Sequence, residues 1–138
     1  MELPQAADPI MKRKTFCGLK ARVAAQNSGQ DARMHHHVYV VLLESKAAKS
    51  WKVRKANPKR DASMPCVYVG MTGLKPAQRF QNHKQGIKAA RVVQRHGLRL
   101  LPELYRCFNP MPFEAAAQME RDLAEDLRTQ GYTVTGGC

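Results

Sequence analysis

A mixed α+β domain is the fold class this sequence predicts, and three observations carry it. Two short β-branched runs, residues 38–43 and 67–71, each set a tyrosine among valines in the alternation of a strand. Pro76 near a first turn and Gly86 just past a last one bracket a short helix. A longer amphipathic segment, from residue 113 to about 130, ends at Gly131 in the way helices commonly stop.

The elements follow in order along 138 residues, a length that makes one domain with a real core. Residues 1–34 lack apolar periodicity and read as a loose basic arm; residues 35–138 read as the folded domain. Between the first two strands lies a polar, basic insertion at about 44–65, with Asn57-Pro58 as a turn signal. A loop so long inside a domain is usually functional or disordered. After the helix around Arg79 and His83, a second helix is expected from about residue 87 to 96, closed by Gly97. A third strand is expected within 98–108, interrupted near Pro102, then a turn at 109–112 before the long helix. Residues 132–134 read as a short last strand.

The charge is the unusual part of the composition. Lys and Arg number 23 against 11 Asp and Glu, giving +12 and a pI near 10.0. Three acid-free runs, 12–22, 46–60 and 75–99, hold most of those cations, whereas five acids gather in the C-terminal helix. Such blocks suit a polyanion. The candidate contacts are Lys46, Lys49, Lys52, Arg54, Lys55, Lys59 and Arg60 of the insertion, then Lys84, Lys88 and Arg91. Trp51 stands among the first group and can stack on a base or anchor the insertion. No run approaches the ~20 apolar residues of a bilayer span, and no apolar signal-peptide core follows the N-terminus. The expectation is a cytoplasmic protein without a membrane partner. Cys17, Cys66, Cys107 and Cys138 are scattered without a C-x-x-C pair, which suggests reduced thiols rather than a zinc knuckle.

Five residues offer chemistry. Arg79 and His83, four apart, share one face of their helix and can grip a phosphate together, or be ordinary surface and capping residues. Glu120 falls in the middle of the apolar stripe of Phe113, Ala116, Ala117, Leu123, Ala124 and Leu127. A carboxylate there is costly unless it pairs, for example with Arg79, or ligates a hard cation. Tyr39 and Tyr68 sit where packing is the default for an aromatic, yet their hydroxyls can line a cleft if both face away from the main apolar side. The run His35-His36-His37 lacks a nearby carboxylate or Cys at ligand spacing, so it reads as an incidental polar lead-in.

Taken in order, Val38-Tyr39, then Tyr68-Val69-Gly70, Thr72, Arg79, His83 and Glu120 resemble the GIY-YIG nucleases. The closest stretch is residues 68–83, with the tyrosine-glycine strand end followed by the helix carrying Arg and His. The segment 114–120 resembles the helix that ends in the family's metal-binding glutamate. The resemblance covers about residues 37–134. It implies an α/β sandwich with a small, central, mainly antiparallel three-stranded sheet flanked by helices, and one divalent ion, Mg²⁺ or Mn²⁺. It also implies roles: Glu120 on the metal, Arg79 on the charged transition state, Tyr39 as general base or as the group that orients the water, and Tyr68 and His83 assisting.

The departures concern the first motif and the spacing. His37 stands where the family usually has glycine, and Val replaces Ile at 38 and 69. The two tyrosines lie 29 residues apart, so the basic insertion splits their hairpin. Thr133 stands where many members carry asparagine. The expectation is therefore a metal-dependent endonuclease acting on DNA, or on RNA. Any specificity would come from the insertion, the arm, a dimer or a partner protein. The alternative is a nucleic-acid-binding module of the same fold without turnover.

Overall fold

The two long strands of the sheet each bury an apolar face. The computed structural model describes residues 34–136; the expected arm lies almost wholly outside the described residues. Strand β1 (His37–Leu43) pairs antiparallel with β2 (Cys66–Thr72) over its whole length, Tyr39 opposite Gly70 and Val41 opposite Tyr68. Strand β3 (Gly97–Leu100) pairs antiparallel on the other side of β1, and β4 (Thr133–Gly136) pairs parallel with β2. The order is β3-β1-β2-β4. The expected three-stranded sheet is thus corrected: it has four strands and is mixed. The short segment after Gly131 returns beside β2 across the long helix, a pairing between distant segments that no local pattern specifies.

Alternation divides the sheet cleanly. One face carries Tyr39, Val41, Tyr68 and Gly70; the other carries Val38, Val40, Val67, Val69 and Val134, all fully buried. The insertion is folded rather than loose. A 3₁₀ turn (Ser45–Lys49) leads into helix α1 (Trp51–Ala56). Asn57, itself buried, then caps the outer edge of the sheet. Its Oδ1 accepts from Val134 N–H at 2.9 Å, and its Nδ2 donates to Val134 O at 2.9 Å and to Val53 O at 2.7 Å. An edge strand otherwise presents unpaired backbone groups, so one side chain both seals β4 and mounts α1 against it. Asn109 does the same for β1, accepting from Val38 N–H and donating to Val38 O.

Helix α2 (Pro76–Gln85) begins at its proline and ends at Gly86, whose φ of 84° is the left-handed cap glycine adopts at no steric cost. Helix α3 starts later than expected, at Arg91–His96, because the stretch 87–90 is a tight turn in which Lys88 takes φ 48°. Helix α4 (Phe113–Thr129) packs against β1, β2 and β4. Its buried stripe is Ala115, Ala116, Met119, Leu123, Ala124 and Leu127. Phe113 is exposed, Met119 takes the centre, and Glu120 lies at the margin, half-buried. Among the described residues no helix is long and apolar enough to cross a membrane. Cys66 is buried, which pushes its thiol up to about 11 and keeps it unreactive.

Candidate functional site

Four of the five expected residues converge on the tyrosine face of β1 and β2. Because Tyr39 stands opposite Gly70, its ring has an empty cross-strand position to lie over. A Cβ at 70 would come within 2.7 Å of the Tyr39 hydroxyl and 3.0 Å of the Tyr68 ring. The two tyrosine rings sit diagonally, 6.1 Å apart, and His83 meets both, at 6.0 and 5.7 Å between ring centres. Tyr39 is only 1% exposed, whereas Tyr68 is half-buried at the rim. Both tyrosines thus lie on one face of the sheet, the first fully buried and the second partly exposed.

The hydrogen bonds fix the protons. Ala90 N–H donates to His83 Nδ1 at 3.0 Å, so the neutral ring carries its proton on Nε2. That Nε2–H donates to the Tyr39 hydroxyl oxygen at 2.8 Å. Burial, helped by the Arg79 cation beside it, pushes His83 down to about 4. It therefore stays neutral near pH 7 and acts as a fixed donor, not as a base. Tyr39 is raised above the ordinary phenol range, first by burial and then by Tyr68, while the charge and hydrogen bonding of Arg79 oppose the rise. The His83 N–H and the nearby Arg79 charge thus both favour the ionised form of that oxygen, against the larger effect of burial.

Arg79 has a second task. Its Nη1 donates to Ile87 O at 3.3 Å and its Nη2 to Lys88 O at 2.9 Å. Together with the Ala90–His83 bond, this pins the α2–α3 turn under the cluster. Lys84 is likewise engaged, its ammonium donating to Gln94 O and Gly97 O. That ties α2 to the start of β3 while the side chain stays exposed. Lys88 and Arg91 are exposed, and the cations of the insertion are exposed except for Arg60, which is half-buried.

Glu120 stands apart. Among the described residues no hydrogen bond or ion pair joins it to Arg79 or to the tyrosines, so the salt bridge that its burial suggested is not formed. Burial holds its carboxyl above the usual carboxylate range, with neighbouring Arg121 opposing. A half-buried carboxylate lacking an ion-pair partner has the chemistry of a ligand for a hard cation. Among the described residues no group of three or more His, Cys, Asp or Glu gathers as a metal cage. His35, His36 and His37 form no such cage either; burial lowers His36 and His37, and His36 stacks on His35 and edges against Phe113.

Sequence reasoning missed Gly70 as a site residue, and Ala90 as the group that sets the His83 tautomer. Gly70 had a signal, a glycine inside a strand next to a tyrosine, which marks close approach of another group. Ala90 had none, because its backbone N–H is not encoded by side-chain type. A consequence is testable by substitution. Gly70→Ala should push the Tyr39 hydroxyl off the His83 proton while leaving the sheet paired. The expected result is a loss of the Tyr39–His83 contact, read as an altered His83 ring signal by NMR, with a far-UV spectrum like that of the wild type.

Comparison of the chain with protein-family models, with characterised proteins and with solved structures gives no match. The site is therefore read from its own geometry.

Proposed function

We propose that this chain is a metal-dependent endonuclease that hydrolyses phosphodiester bonds in DNA through a site of the GIY-YIG type. The observation that supports it most is the Tyr39 hydroxyl, which receives the His83 proton and lies beside the Arg79 guanidinium and the Tyr68 ring. Those are the residues whose order along the chain resembles the family's motif. In this reading Tyr39 takes the proton of the attacking water, with Tyr68 at the rim between it and solvent. Arg79 pairs with phosphate through its remaining N–H donors. Glu120 holds Mg²⁺ or Mn²⁺, which when bound stabilises charge on the phosphate and the leaving oxygen. The net charge of +12 draws the polyanion in.

One observation favours a second reading, a DNA-binding module without turnover. Arg79 and His83 both hold the α2–α3 turn, and Glu120 makes no contact with their group. Either pattern suits a scaffold as well as a catalyst. The deciding experiment incubates purified protein with supercoiled, linear and branched DNA in the presence of Mg²⁺ or Mn²⁺. Nicked or cut product that disappears with chelator supports the endonuclease. DNA that is shifted in a gel yet never cut, with either metal and every substrate, overturns it in favour of the module.

A further inference from the structure

We propose that Trp51 is a stacking platform for an unpaired base, so that the insertion selects DNA containing a single-stranded segment. The inference deepens the function proposed above and rests on it for the choice of DNA as partner. Trp51 can serve either as an anchor that holds the insertion to the domain or as a surface group. The structure decides between these. The indole is 66% exposed, and α1 buries none of its residues. What holds α1 in place is Asn57, bonded to Val53 and to both backbone groups of Val134. The tryptophan therefore contributes little to the fold and is presented on a mount fixed to the sheet edge.

Its surroundings define the partner. Lys46, Lys49, Lys52, Arg54, Lys55 and Lys59 of the same segment are all exposed, and residues 46–60 contain no acid. Lys55, one helical turn on, places its ammonium 5.7 Å above the indole ring. An apolar protein partner docking on Trp51 would have to desolvate these cations without neutralising them, which is costly. A strand of nucleic acid answers both features at once: phosphates for the ammonium groups and a base face for the indole. In an intact duplex the base faces are already stacked on one another, so the indole can reach one only where bases are unpaired. Helix α1 packs on β4, which pairs with β2, the strand that carries Tyr68. A single-stranded segment held on α1 therefore lies one strand away from the tyrosine strand.

The test uses the protein's own signal. Trp51 is the one tryptophan in the chain, so its emission reports this position alone. Titration is made without divalent metal, with short oligothymidylate and with blunt duplex DNA. Emission should be quenched by oligothymidylate and not by the duplex. Trp51→Ala, an exposed change that leaves the fold intact, should weaken oligothymidylate binding by roughly 5- to 150-fold, as expected for one stacked base. It should leave duplex affinity unchanged, and Trp51→Phe should recover most of the loss. Emission that ignores oligothymidylate, or a Trp51→Ala variant that binds it like the wild type, overturns the proposal. Equal losses on both DNAs overturn it as well, since phosphate contacts alone would then explain the effect. Cleavage plays no part in this readout, so a chain that stacks single strands but never cuts would sink the endonuclease reading and leave this one standing.

Discussion

If the chain is the proposed metal-dependent endonuclease, Glu120→Gln should lower its cleavage by ~10³-fold or more while the fold survives. The substitution keeps the side chain's shape and removes the charge that would hold the cation. A bound metal contributes several kcal/mol of transition-state stabilisation in phosphoryl chemistry, and each ~1.4 kcal/mol is a factor of ten in rate. Stability should move the other way. Burial raises the Glu120 pKa in the folded state above its unfolded value. Its ionised form therefore costs stability at neutral pH, and that cost fades as pH falls through the folded pKa. Glu120→Gln should then be at least as stable as the wild type at pH 7, with the difference vanishing in acid. Added Mg²⁺ should raise the melting temperature of the wild type and not of the variant, because only the former gains a ligand for its folded state. Wild-type cleavage rates in Glu120→Gln would remove the glutamate from the site.

On the same proposal, Tyr39→Phe should carry the second large effect, a loss of ~10²–10⁴-fold in cleavage, the usual contribution of a general base. Phe keeps the ring over Gly70 but deletes the oxygen that accepts the His83 proton. The Nε2–H of His83 is then a buried donor without a partner, which costs ~1–3 kcal/mol of stability. Rate and stability therefore fall together but by different mechanisms, and assays at a temperature well below the variant's melting point separate them. Tyr68→Phe, at the rim, should show the smaller rate defect. The pH profile adds a sign. Because the Tyr39 phenol is held above its ordinary range, its ionised fraction grows tenfold per pH unit across the neutral region. The wild-type rate should climb with pH, and the profile of Tyr39→Phe should lose that limb. A Tyr39→Phe variant that cleaves normally would exclude the phenol as base. His83 would not replace it, since its Nδ1 already accepts from Ala90 and its Nε2 carries the proton.

Much of the scaffold was legible because local rules dictate it. The alternation around Tyr39 and Tyr68 matched β1 and β2 nearly residue for residue. Pro76 and Gly86 bounded α2 as their backbone preferences require. Arg79 and His83 met on one helix face because residues four apart must. Where a second level of structure intervened, the reading lost resolution. Residues 87–90 have the composition of a helix, but Arg79 holds their carbonyls in a turn. The insertion reads as loop from its charge, and two hydrogen-bonding faces of Asn57 fold it against β4. On α4 the apolar residues alone put Glu120 in mid-stripe. The packing instead chose Met119, a flexible side chain that fills a core better than a carboxylate can.

What the sequence determined by itself is the period, polarity and punctuation of each segment: which stretches are strands or helices, where they stop, and that the domain is strongly basic. These are properties of residues within a few positions of one another, set by backbone sterics and by the spacing of apolar side chains. What only the tertiary structure decided is which distant groups meet. The parallel pairing of β4 with β2, the hydrogen bond from His83 to the Tyr39 oxygen, the turn held by Arg79 and the exposure of Trp51 all join or separate residues far apart in the chain. Burial and hydrogen-bond satisfaction select such contacts over the whole fold at once, so no local window of sequence contains them.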